Sequence, residues 1–186
     1  MRNVHVYDNS FNNSEEGLRI KSDYARGGEV SNFYYDNICI RNTTNALLFT
    51  PYYSTRPLPA GGPLVPNFHD IYMNNVSIQG PTAAKLKGFE ANTGGYALPQ
   101  YPLRMTLNNV VTDSPASASV IASDANLTLT GLVNLPIFAS ADNRVVLTGA
   151  AAKEADPAKV LDCSRAFVDF PSPTSPFGTT WLPKLR

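Results

Sequence analysis

Apolar and polar residues alternate along short stretches of this chain, and that spacing predicts β-strands, because successive side chains of a strand point to opposite faces. In Gly17-Leu18-Arg19-Ile20-Lys21-Ser22 the pattern puts Leu18 and Ile20 on one face and Arg19 and Lys21 on the other. Similar runs occupy residues 3–9, 32–40, 46–50, 67–78, 87–90, 103–111, 120–122 and 126–130, and 144–147 reads as a last strand. Laid under one another, they repeat. A longer strand carrying an asparagine leads each time to a shorter apolar one. The matching asparagines are Asn9, Asn37, Asn75 and Asn109, spaced 28, 38 and 34 residues apart. The longer periods hold Pro/Gly-rich insertions such as residues 56–63, inside a longer insertion over 54–66 that reads as a rim loop.

Several short strands per period describe a solenoid of β coils. An asparagine at a coil corner can hydrogen-bond to its equivalents above and below while satisfying turn backbone. A two-sheet sandwich of short strands is the competing architecture; the asparagine register favours the coil. The expectation is an all-β chain with coils over residues 1–150. Residues 151–186 form an irregular tail. Within it, Asp156-Pro157 reads as an N-cap followed by proline at the first helical position, predicting a short helix over 156–161. Beyond residue 170 the chain is Pro-rich and extended.

Composition narrows the function classes. The 186 residues carry 15 basic and 15 acidic side chains, a net charge of zero, which argues against a nucleic-acid or membrane-surface binder driven by bulk charge. Charged residues are scarce at 16%, and 17 asparagines fill much of the polar quota. No apolar run approaches the ~20 residues of a membrane span, and the strand-like N-terminus lacks the apolar core of a signal peptide. The two cysteines, Cys39 and Cys163, cannot make a disulfide framework or a zinc site by themselves. A buried free thiol is the favoured state of Cys39, with a single bridge as the alternative.

The candidate chemistry lies in the outward cations. Arg19 and Lys21 are about 7 Å apart by strand rise, and their mutual repulsion in water is only about 0.6 kcal/mol. An anion across both would reverse that sign, each charge-assisted hydrogen bond contributing about 1.5–3 kcal/mol. The pair is either a receptor for a carboxylate-bearing ligand or an ordinary solvated strand face.

Gly17-Leu18-Arg19-Ile20-Lys21-Ser22, then Arg26-Gly27-Gly28, a strand with Asn37-Ile38, and Phe49-Thr50-Pro51-Tyr52-Tyr53, together resemble the polygalacturonase family of glycoside hydrolases. The resemblance covers about residues 1–135. It implies a right-handed parallel β-helix acting on pectin by inverting hydrolysis of α-1,4-galacturonosidic bonds. It implies an anionic polysaccharide as partner, an extracellular or periplasmic location, and no metal or cofactor. The family's Arg and Lys of this motif bind a galacturonate carboxylate and map onto Arg19 and Lys21; its active-site tyrosine maps onto Tyr53, with Tyr52 as the alternative register.

The N-T-D, D-D and G-H-G strings that carry the family's catalytic carboxylates and histidine do not occur in this sequence. The chain therefore reads as the C-terminal, substrate-binding part of such an enzyme, with no catalytic residue of its own. His5 and His69 read as structural side chains, and Glu15, Glu16 and Asp23 as solvated turn residues. The alternative is a non-catalytic β-helix for carbohydrate binding or assembly, with Tyr34, Tyr35, Tyr52, Tyr53, Tyr72 or Tyr101 stacking on sugars. A first coil presenting Val4, Val6, Phe11, Leu18 and Ile20 at an uncovered end would favour self-association.

Overall fold

A computed structural model describes residues 1–53, 57–90, 92–93, 96–97, 99–152 and 160–167. The expected helix over 156–161 falls largely outside the described residues; Val160 and Leu161 are not helical, and the Pro-rich segment beyond residue 170 also lies outside them.

Two parallel sheets wind around a common core. One contains β1 (Arg2–Asn12), β3 (Gly28–Arg41), β5 (Pro66–Gln79), β9 (Leu103–Thr112), β11 (Ala125–Val133) and β12 (Val145–Thr148), in that spatial order. The other has the order β10-β6-β4-β2, from β2 (Glu16–Lys21), β4 (Asn45–Thr50), β6 (Ala83–Lys87) and β10 (Ser119–Ser123). A two-residue antiparallel pair, β7 (Asn92–Thr93) and β8 (Tyr96–Ala97), lies outside both. Each of the first four turns of the chain lays one strand in each sheet, parallel to its neighbours in the adjacent turns, and this is a right-handed parallel β-helix, the hand that parallel crossovers take. The sandwich is excluded, since every pairing in both sheets is parallel.

Register turns the period-two pattern into columns of like side chains. Val4, Phe33, Ile71, Met105, Leu127 and Leu147 stack along the coil axis in the first sheet. Leu18, Leu47, Ala84 and Val120, beside Ile20, Phe49, Leu86 and Ala122, do so in the second. Phe49, Phe68, Ile38, Ile40, Leu86 and Leu107 are completely enclosed.

The long strands bend at single residues of left-handed conformation. Asp8, Asn37, Asn75 and Asn109 have φ between 51° and 55°, and Gly131 continues the column at 61°. Asn37 Nδ2 donates to Asp8 Oδ1 at 3.0 Å, Asn75 to Asn37 at 3.1 Å and Asn109 to Asn75 at 3.1 Å; the Leu132 amide then donates to Asn109 Oδ1. The ladder expected from sequence exists, but its first member is Asp8 and not Asn9. Asp8 accepts from Asn37 through its carboxylate, and Asn9 is instead paired in register with Ile38. A Cβ at position 131 would lie 2.3 Å from Asn109 Oδ1, so glycine is required there. Two shorter columns, Asn3–Asn32 and Asn13–Asn42, repeat the device at neighbouring corners.

Two further expectations are corrected. The short strand of the third coil spans 83–87 and not 87–90: Ala84 and Leu86 supply the inward alternation, and the chain turns at Gly88, where a Cβ would collide with the Asp124 carbonyl oxygen. Cys39 is not a free thiol. It forms a disulfide with Cys163, 124 residues away, with Cα atoms 5.7 Å apart. Ile38 and Ile40 point inward, so alternation turns Cys39 outward, and its burial comes from residues 160–167 lying across the coil. The same segment places the Phe167 ring 4.2 Å from the Arg41 guanidinium carbon.

Candidate carboxylate-binding site

Arg19 and Lys21 stand on the outward face of β2. Gly17 precedes them for a packing reason: a Cβ there would lie 2.6 Å from the Ala46 carbonyl oxygen of the next coil. Leu18 and Ile20 anchor the strand from beneath at 2% and 7% exposure. Beyond Lys21 the chain turns tightly. The Arg26 and Gly27 amides donate to the Asp23 carbonyl, the Ala25 amide to Asp23 Oδ1 at 3.0 Å, and Ser22 Oγ to the Gly27 carbonyl at 2.7 Å. Gly27 sits at φ 61° against Leu64 of the 57–65 loop, whose amide donates to the Tyr24 carbonyl.

Tyr53 arrives from the following coil. Its amide donates to the Ser22 carbonyl at 2.9 Å, which fixes its backbone beside the motif. The Lys21 ammonium nitrogen then stands 3.6 Å from the centre of the Tyr53 ring and the Arg19 guanidinium carbon 5.1 Å from it, in cation–π range. Lys21 and Tyr53 remain exposed to solvent. Interaction with the Lys21 ammonium, and then with Arg19, holds the Tyr53 phenol below its ordinary range. Lys21→Met is expected to raise the Tyr53 titration midpoint toward that of a free phenol. Ultraviolet absorbance against pH, with the Tyr53→Phe titration subtracted, reads this; an unmoved midpoint would show that the lysine does not act on the ring.

The Arg19 guanidinium forms an ion pair with Glu16, three residues back on the same strand. Its Nε is buried and has no hydrogen-bond partner among the described residues. The sequence assigned Glu16 to solvent; the acidic residue three positions before an arginine was the only signal of this contact. Asp23 is likewise not solvated: it is 1% exposed and caps its own turn, with Arg26 Nε at 3.7 Å. One carboxylate is thus tied to an arginine and the other is sunk in a turn. The site can bind an anion; acid–base cleavage needs two carboxyl groups about 6.5–9.5 Å apart with water between them.

Tyr52 does not reach the cations. Its ring stacks on Phe89 at 5.8 Å and its hydroxyl accepts from the Glu90 amide at 2.8 Å. Tyr35 is a core residue at 4% exposure, and Tyr101 is bridged to Phe89. Tyr34 and Tyr72 stack at 4.9 Å on the outside of the other sheet. His5 contacts Asp36 there, and His69 lies between Asp70 (2.7 Å) and Glu29 (3.1 Å). Of the residues singled out from sequence, the structure brings together Arg19, Lys21 and Tyr53.

Residues 1–94 match the family model described as "Glycosyl hydrolases family 28". The chain is 35% identical over 189 residues to a polygalacturonase of Ralstonia solanacearum, covering 91% of this chain and 33% of that protein. It is 29% identical over 108 residues to an endo-polygalacturonase of Pectobacterium parmentieri, covering 58% of this chain and 24% of that protein. The chain thus spans about a third of the length of the Ralstonia relative. No solved structure matches it significantly.

Proposed function

The chain belongs to glycosyl hydrolases family 28, and from that premise we propose that it is the C-terminal, substrate-binding part of a polygalacturonase-like enzyme. Its ligand is polygalacturonate, a polymer with one carboxylate per sugar. Arg19 and Lys21 hold the carboxylate of one residue, and Tyr53 positions the pair and offers its ring edge to that sugar. Hydrolysis, inverting as in the family, is carried out by carboxylates outside this sequence, since the strings that bear them are absent from it.

The observation that carries the reading is the convergence of two outward cations and an exposed tyrosine ring on one face, with a buried Arg19 Nε left unpartnered among the described residues. An extracellular or periplasmic location follows from the polymeric substrate, and the Cys39–Cys163 bridge supports it, because such bonds persist in oxidising compartments.

Calorimetric titration with oligogalacturonate tests the proposal. Lys21→Gln is expected to weaken binding about tenfold, the lower end for a charge-assisted contact, and to leave binding of the fully methyl-esterified oligomer unchanged. Equal losses on both ligands would remove the carboxylate-receptor role. The purified chain is expected to release no reducing ends from polygalacturonate; turnover abolished by Glu16→Gln would overturn the non-catalytic assignment.

A further inference from the structure

The outward positions of β2, β4, β6 and β10 form rows along the coil axis. Arg19 is in register with Leu48, Leu48 with Lys85, and Lys85 with Ile121; in the neighbouring row Lys21 pairs with Thr50, and Lys87 with Ser123. Lys85 and Lys87 therefore repeat the Arg19–Lys21 arrangement two rungs further along the same face. At strand spacing, the two pairs are about 9.5 Å apart. Ala84 and Leu86 face inward on either side of Lys85, which is exposed, and Lys87 is half-buried. Neither lysine forms an ion pair among the described residues, and β4, β6 and β10 carry no acidic residue at all.

Four cations on one sheet face meet a single carboxylate, Glu16 on Arg19; Lys21, Lys85 and Lys87 have no ion pair among the described residues, which leaves a strip of net positive charge on a chain whose net charge is zero. Its direction is that of the stacked rungs. Lys87 also borders a cavity of about 420 Å³ lined by Tyr52, Glu90, Asp124, Asp142 and Arg144. There Glu90 and Asp124 are engaged by Arg144, so Asp142 is the acidic side chain that bounds the strip.

Resting on the reading that Arg19 and Lys21 receive a carboxylate, we infer that Lys85 and Lys87 form a second carboxylate subsite for the same polyanion, which lies along the coil axis across β2, β4 and β6. One sugar cannot span two rungs, so the two pairs hold different residues of the polymer. Affinity then grows with oligomer length until both pairs are filled.

Calorimetry with digalacturonate and hexagalacturonate separates the possibilities. The doubly substituted Lys85→Gln/Lys87→Gln chain is expected to bind hexagalacturonate about tenfold or more weakly and digalacturonate within about twofold of the unsubstituted chain. Lys21→Gln weakens both ligands. Arg104→Gln, which removes an exposed charge from the other sheet, changes neither. If the unsubstituted chain binds both ligands and the double substitution leaves hexagalacturonate affinity intact, or lowers both affinities equally, the second subsite is refuted while the first stands. If the unsubstituted chain binds neither ligand, the carboxylate-receptor reading fails, and the second subsite with it.

Discussion

Cys163→Ser is expected to lower the thermal midpoint of the chain by about 10 °C. The bridge closes a segment of 124 residues, and loop-closure entropy for a ring of that size amounts to about 5 kcal/mol, with removal of native bridges costing about 2–5 kcal/mol. For a chain of this length each kcal/mol moves the midpoint by about 2–4 °C. Cys39→Ser should give the same shift, and the double substitution no more than either single one, because one bond is lost in every case. Dithiothreitol should reproduce the shift in the unsubstituted chain and have no effect on the variants. Calorimetric scans read all of these; a midpoint indifferent to reductant would show that residues 160–167 dock without help from the bond. The loss also uncovers Ser77 and Val111, outward side chains with 5–6% exposure that lie against the C-terminal segment.

Asn75→Val should destabilise the chain by about 3–4 kcal/mol. Asn75 sits at φ 54°, a conformation that costs an ordinary L-residue about 1–2 kcal/mol and a β-branched one more. Its side chain donates to Asn37 and accepts from Asn109, two bonds each contributing about 1 kcal/mol net. Asn75→Gly keeps the backbone conformation and loses only the side-chain bonds, so it should cost about half as much. Urea unfolding of the two variants separates the terms: equal losses would mean that the left-handed backbone carries no part of the effect. Asn75→Asp is the informative third variant. It can still accept from Asn109 but can no longer donate to Asn37, and it places an acceptor against an acceptor in the middle of the column.

The sequence by itself determined which side chains face in and which face out. Period-two alternation at Leu18-Arg19-Ile20-Lys21 and at Leu103-Arg104-Met105-Thr106-Leu107 is a local property of an extended backbone, so it survives any arrangement of the strands. It also determined the recurrence of a small amide at the coil corners, since few residues tolerate the left-handed conformation and hydrogen-bond their own equivalents.

Only the tertiary structure decided what depends on register between coils. Asp8 and Asn9 are equally suited to a corner by composition; pairing of β1 with β3 places Asp8 under Asn37. Tyr52 and Tyr53 are adjacent, and the bond from the Tyr53 amide to Ser22 puts the second over the cations and sends the first to Phe89. Cys39 meets Cys163 across 124 residues, and Lys85 comes into line with Arg19 across 66, distances over which a linear pattern carries no information about contact. Parallel coils separate neighbours in space by a whole turn of chain, and insertions of unequal length, such as residues 54–66, make that interval irregular. The face a residue occupies is therefore local knowledge, while its partner on that face is set by how many residues each turn of the helix spends before returning.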